Sequence, residues 1–102
     1  MERIYSFKPY DFKKALPFTN EEFKKIKAVK GKNWHMENRI DYDGKSFIYV
    51  YELTNIYSSH LLNIYKFDNY FIIDNVCAMH INSQKCYSIT EIINYLKDYI
   101  NA

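Results

Sequence analysis

The stretch WHMENRIDYDGKSFIYVYELT, residues 34–54, decides the fold because it reads as strand, turn and strand in direct succession. Its first part alternates between two sets of side chains, as a half-buried strand does. One set is Trp34, Met36, Asn38, Ile40 and Tyr42, and the other is His35, Glu37, Arg39 and Asp41. Asp43-Gly44 predicts a two-residue hairpin turn of type I′. Residues 46–54 are apolar on both faces, which predicts a central strand.

Further strands follow towards the C-terminus. The runs LLNIYKF, residues 61–67, and YFIIDNVC, residues 70–77, flank Asp68-Asn69, which predicts a second hairpin. Residues 78–82, AMHIN, either extend the fourth strand past a bulge or form a short fifth strand. We therefore expect an antiparallel meander of about four to five strands.

Helices are predicted on both sides of this meander. Near the C-terminus, Ser88 and Glu91 form a capping box. Behind it lie apolar residues spaced as on one helical face. They are Ile89, Ile92, Ile93, Leu96 and Ile100. We expect a core helix over residues 89–100.

The N-terminal helix has the same kind of start. Thr19 and Glu22 form a capping box, and Gly31 is expected to provide the left-handed residue that ends the helix. A shorter helix is predicted near residues 10–16. Together these elements predict an α+β fold in one domain, residues 1–102, with one antiparallel sheet and an N-terminal and a C-terminal helix packed against it.

Composition narrows the class of protein. The chain is 48% hydrophobic and 19% aromatic, which is unlike a disordered segment. No apolar run approaches the roughly 18 residues of a membrane span, and the N-terminus lacks the pattern of a signal peptide. Lys, Ile, Asn and Tyr, whose codons are rich in A and T, make up nearly half of the chain. We therefore expect a protein from an AT-rich genome that works in the cytoplasm of a bacterial host cell.

Basic residues concentrate in the first half, where residues 1–45 carry a balance of +4 and residues 46–102 a balance of −2. We call five of them the lysine cluster: Lys24, Lys25, Lys27, Lys30 and Lys32. The cluster is a solvated helix face, a phosphate-contacting patch or a protein-docking face. For docking, we expect the lysines to form a rim and Trp34 and Tyr42 to supply an aromatic anchor.

Two further groups of residues suggest binding sites. The aromatic residues of the predicted strands form either a stacking platform for nucleobases or core. They are Phe47, Tyr49, Tyr51, Tyr65, Phe67, Tyr70 and Phe71. Cys77, His80 and Cys86 have a spacing similar to that of metal ligands, but a closed structural zinc site requires four ligands. We expect free thiols, no metal, no cofactor and no catalytic residue.

In size and composition the chain resembles the small accessory proteins of phages and mobile elements, including anti-CRISPR and other anti-defence inhibitors. This resemblance implies a non-enzymatic protein that blocks a nuclease or ribonucleoprotein complex by occupying its surface. The expected partner is therefore a protein, and no membrane is involved. The alternative is a protein that binds single-stranded nucleic acid through the lysine cluster and the sheet tyrosines.

Overall fold

One antiparallel sheet carries two helices on a single face. The computed structural model describes residues 2–4, 11–54, 57–76 and 81–101. The strands are β1 (Glu2–Ile4), β2 (Trp34–Ile40), β3 (Ser46–Thr54), β4 (Tyr57–Lys66), β5 (Phe71–Val76) and β6 (Ile81–Cys86). The helices are a 3₁₀ helix (Phe12–Lys14), α1 (Asn20–Lys27) and α2 (Ile89–Ile100). The strand order is β1-β6-β5-β4-β3-β2.

The structure confirms the predicted α+β fold. Strands β2 to β6 form the meander, because each of them pairs with the next strand along the chain. The fifth strand of the meander is Ile81–Cys86. Of the two alternatives predicted for residues 78–82, an extension of the fourth strand or a short fifth strand, residues 81 and 82 belong to a separate fifth strand, and residues 78–80 lie outside the described residues. The sequence did not predict β1, which pairs with the outer side of β6.

The main core lies between the sheet and the two helices. Alternate residues of β3 and β4, such as Val50 and Leu62, face the helices and are fully buried. Helix α1 contributes Ile26, and α2 contributes Ile92 and Leu96. The prediction that α2 is a core element is therefore confirmed. Its apolar face covers the apolar face of the sheet, as the packing of a helix on a sheet requires.

The first hairpin turn differs from the predicted type I′. Among the described residues, positive φ angles occur at Asn33 and Gly44 and not at Asp43. The Gly44 N–H donates to the Asp41 carbonyl, and the Asp41 N–H donates to the Lys45 carbonyl. This is a three-residue loop that ends in a left-handed glycine. It needs one positive φ angle, which Gly44 supplies without strain at 87°.

Helix α1 begins as predicted and ends earlier. The Thr19 side chain accepts a hydrogen bond from the Glu22 N–H, and the Glu22 carboxylate accepts one from the Thr19 N–H. The helix ends at Lys27, with Ala28 as a right-handed C-cap. The prediction that Gly31 ends the helix is therefore wrong. Gly31 instead lies against α2, where a Cβ atom would overlap the Ile100 side chain.

Helix α2 has a modified capping box. The Ser88 hydroxyl accepts a hydrogen bond from the Glu91 N–H, as predicted. The Glu91 carboxylate accepts from the Tyr87 N–H rather than from Ser88. The first turn of α2 is thus fixed to the end of β6 by two hydrogen bonds, which orients the helix across the sheet.

A smaller cluster covers part of the other face of the sheet. The predicted helix near residues 10–16 is the short 3₁₀ helix, whose Phe12 ring stacks on Tyr65 with centroids 4.1 Å apart. Ala15, Phe47 and Ile72 complete this cluster. The remaining part of this face, over β2 and the end of β3, carries partly exposed aromatic residues.

Candidate binding surface at the outer edge of the sheet

The lysine cluster lies on the surface as expected. Lys24, Lys25 and Lys27 are exposed on α1, and Lys30 and Lys32 are exposed in the segment that leads to β2. Helix α1 packs on the core through Ile26, and an ion pair of 2.7 Å joins its Glu22 to Lys66 on β4. The cluster is therefore a set of solvated cations on a fixed support.

The contacts of Glu22 with Lys66 and Thr19 change the pKa of its carboxyl. Burial would raise the pKa of this carboxyl, but its hydrogen bonds to Lys66 and Thr19 and the charge of Lys66 outweigh burial. The pKa of Glu22 consequently lies below its ordinary value. The ion pair is present at pH values above the ordinary pKa of a glutamate, and it is lost as the pH falls through the lowered pKa of Glu22.

A pocket of about 380 Å³ lies where this segment meets the edge strand β2. Its lining residues are Lys27, Val29, Lys30, Gly31, Trp34, His35, Met36, Glu37 and Tyr51. Trp34 and Met36 reach it from the helix side of the sheet, whereas His35 and Tyr51 reach it from the other side. Since β2 is the last strand of the sheet, the pocket wraps around its edge. We call its apolar lining residues, Val29, Trp34 and Met36, the floor; the charged lining residues are two lysines and Glu37.

Trp34 is half-buried and forms part of this floor. Its ring meets Tyr99 of α2 edge to face, with centroids 5.4 Å apart and an angle of 71° between the planes. The tryptophan thus joins the main core to the pocket. A rigid aromatic surface of this kind is typical of interface anchors.

Tyr42 lies at the opposite end of β2, fully exposed in the hairpin loop. At about 3.3 Å per residue, eight residues separate it from Trp34 by about 25 Å. The structure therefore does not bring Trp34 and Tyr42 of one chain together, although both belong to the predicted site. They lie at opposite ends of the strand, because each residue of a strand advances the chain by about 3.3 Å.

A ladder of stacked side chains follows β2 and β3 on the face away from the helices. His35 stacks on Tyr51 with centroids 5.4 Å apart, and Tyr51 stacks on Tyr49 at 4.8 Å. The guanidinium of Arg39 lies 5.3 Å from the centroid of the Tyr49 ring. We call His35, Arg39, Tyr49 and Tyr51 the aromatic ladder. Phe71, which the sequence grouped with these tyrosines, belongs to the main core instead.

The predicted site did not include Met36, His35 and Tyr51, which line the pocket. Their positions follow from the pairing of β2 with β3, in which His35 lies opposite Tyr51 and Met36 lies opposite Val50. The alternation of residues 34–42 contained this signal. To use this signal one must also know the register of β2 against β3, and that register depends on the type of the turn between them.

A buried polar pair lies farther along the same face. The Ser83 hydroxyl donates a 3.0 Å hydrogen bond to the Asp74 carboxylate, and both residues are buried. Burial raises the pKa of Asp74 above its ordinary value, and the Ser83 hydrogen bond only partly offsets it. Burial and the charge of Asp74 together raise the pKa of Tyr65 to about 12. Tyr65 is therefore a neutral hydrogen-bonding group in this cluster.

Cys86 is a buried free thiol. Burial, followed by the nearby charge of Glu91, raises the pKa of this thiol to about 12. Cys77 and His80 lie outside the described residues. Within the part of the chain that the structure describes, no three His, Cys, Asp or Glu side chains are placed to hold a metal ion.

We predict that native Cys86 reacts with an aromatic disulfide reagent at least about a hundredfold more slowly than the same thiol in urea-unfolded protein. The thiolate is the reactive form, and both burial and the raised pKa suppress it. The measurement uses the Cys77→Ser variant, which leaves Cys86 as the single thiol. Equal rates in native and unfolded protein would contradict the buried position.

Comparison with protein-family models, with curated proteins and with solved structures finds no significant match to the chain. Among the described residues, no helix combines the length and the apolar character needed to cross a membrane.

Proposed function

We propose that the chain is a small non-enzymatic binding protein that acts by occupying a surface of a larger macromolecule. One observation carries this proposal: the pocket at the edge of β2 is lined by the apolar side chains of Trp34 and Met36 together with charged groups, among which the lysines outnumber the one carboxylate. Interfaces are commonly built with aromatic anchors at the centre and charged groups around them.

The chemistry of this surface indicates the chemistry of its partner. An apolar or aromatic side chain fits the floor of the pocket, and carboxylates beside it would meet the exposed lysines. The net charge of +2 argues against a mimic of nucleic acid, which would be strongly acidic. We therefore propose a protein partner with an acidic surface around a projecting apolar side chain.

The proposed biological role is inhibition of a bacterial defence nuclease by a protein of a phage or mobile element. The support is the small size and the abundance of amino acids with AT-rich codons, together with the lining of the pocket. Affinity purification with the tagged protein from lysates of AT-rich bacteria, with and without added nuclease, would identify the partner. Capture of a nuclease or ribonucleoprotein complex that survives nuclease treatment supports the proposal. Loss of all captured protein after nuclease treatment would contradict it.

We predict that replacing Lys24, Lys25 and Lys27 with Glu slows association with the partner about tenfold or more and leaves the fold intact. Rim charges steer encounter, so the association rate falls and the dissociation rate changes less. The matched control replaces Lys13, Lys14 and Lys97 with Glu; these residues are exposed and lie outside the lysine cluster. It changes the net charge by the same amount. Surface plasmon resonance at physiological salt measures both rates, and unchanged association of the first variant would show that the lysines are only a solvated helix face.

The aromatic ladder favours a second candidate function, the binding of single-stranded nucleic acid. Stacked tyrosines beside an arginine resemble the platforms on which successive bases stack. The lysine cluster and the ladder meet at the pocket, where Lys27 and Tyr51 both contribute. A phosphate binder should lose affinity steeply as salt rises. Failure to retain labelled oligonucleotide at low salt would exclude this candidate.

A further inference from the structure

Among the described residues, no strand pairs with the outer edge of β2, which is the last strand in the order. The Leu53 N–H donates to the Asn33 carbonyl, so odd-numbered residues of β2 form the hydrogen-bonded pairs with β3. The N–H and C=O groups of Met36, Asn38 and Ile40 consequently point away from the sheet. Residues 37–40 are all exposed. The strand contains neither Pro nor Lys, which commonly protect such edges.

This edge is complementary to itself. In an antiparallel pair of two β2 strands around a two-fold axis at Asn38, each Glu37 lies opposite Arg39 of the other copy. The same register pairs Met36 with Ile40 and extends to His35 beside Asp41. Directly opposed side chains lie on the same face of a sheet, so each of these pairs is within contact.

Neighbouring registers are disfavoured by charge. The backbone N–H and C=O groups that point outward belong to even-numbered residues. A two-fold axis at residue 37 or 39 would also place even-numbered residues of the two copies opposite each other. An axis at residue 37 places two Glu37 carboxylates opposite each other. An axis at residue 39 opposes two Arg39 guanidiniums. Like charges opposite each other are destabilising, whereas the register centred on Asn38 alternates the signs.

The register centred on Asn38 also covers exposed apolar groups. Ile40 is 71% exposed and Tyr42 is fully exposed in the single chain. Continued past the end of the strand, this register would bring the loop that carries Tyr42 of one copy towards Trp34 of the other. The two aromatic residues that lie about 25 Å apart within one chain would thus approach each other between chains.

We propose that two copies of this chain associate through their β2 strands, antiparallel about an axis at Asn38, to form one continuous sheet. The inference does not depend on the proposed function. It concerns the purified protein alone, whereas the proposed function concerns a host macromolecule. Both use the pocket at the edge of β2, so the dimer and the partner complex would exclude each other.

Charge exchange at the edge tests this dimer by sedimentation equilibrium over a range of micromolar concentrations. We expect Glu37→Arg and Arg39→Glu each to raise the dimer dissociation constant about tenfold, because each replaces two attractive cross-strand pairs with repulsive ones. The double variant restores both pairs and should return the constant to near the wild-type value. Glu21→Arg on α1, also at an exposed position, is the matched control. A wild-type monomer at every concentration, insensitivity to both single variants, or failure of the double variant to recover would each overturn the proposal.

Cross-linking tests the position of the axis independently. Residue 38 is the one that would face its own copy, at a Cα separation of about 5.5 Å, which suits a disulfide. In a Cys77→Ser background, Asn38→Cys should form an intermolecular disulfide under mild oxidation, while Tyr42→Cys, which is exposed but far from the axis, should not. Equal cross-linking of the two variants, or none at position 38, would overturn the axis. Circular dichroism verifies that every variant is folded.

Discussion

Leu96→Ala should lower the free energy of unfolding by about 3 kcal/mol, the largest effect that we expect from a single substitution. Leu96 is fully buried between α2 and the sheet. Truncation removes apolar contacts and leaves a cavity that rigid strands cannot close, which typically costs about 2 to 5 kcal/mol. Urea titration followed by circular dichroism measures the change.

Lys97→Ala is the control for this substitution, because Lys97 is exposed on the same helix. Leu and Lys have similar helix propensities, so replacement by Ala changes the helix propensity by a similar amount at both positions. It should change the free energy of unfolding by less than about 0.5 kcal/mol. Equal destabilisation by the two variants would mean that α2 does not pack on the sheet through Leu96.

Gly31→Ala should lower the free energy of unfolding by about 2 kcal/mol, although it adds a single methyl group. The new Cβ would overlap the Cγ2 atom of Ile100 and lie 2.9 Å from Cδ1 of Trp34. The segment between α1 and β2 would have to move away from α2. Thermal and urea denaturation both measure the loss.

A double variant separates this clash from a backbone effect. Ile100→Ala removes the side chain that the new methyl meets, so Gly31→Ala should cost much less in that background. Gly44→Ala gives the opposite case, since its Cβ would meet nothing within 4 Å but its φ angle is 87°. An equal cost of Gly31→Ala with and without Ile100 would refute the steric explanation.

The elements with strong local signals were predictable from the sequence. Helix α2 has a cap at Ser88 and five apolar residues at helical spacing, and these local preferences agree with what the sheet requires. The meander followed from hairpin turns between apolar runs. In these segments, neighbours in sequence are also neighbours in space, so pattern alone was sufficient.

Features that depend on distant residues were not predictable in this way. Gly31 is needed because Ile100 packs against it, and nothing near Gly31 in sequence indicates that contact. Strand β1 depends on the free edge of β6, and three residues carry too little pattern to show it. The pocket depends on the register of β2 against β3. The separation of Trp34 and Tyr42, by contrast, follows from their eight-residue spacing along a predicted strand, so the sequence alone already placed them far apart.

The pairing of β1 with β6 has a consequence for the order of folding. Each strand of the meander pairs with the next strand along the chain. Most of the sheet can therefore form from local contacts at a small entropic cost. The pair of Ile4 with Ser83 instead closes a loop that contains most of the chain. Such a contact forms favourably only once the intervening strands have brought its ends together. We therefore expect β1 to join last, on a sheet whose remaining order is already established.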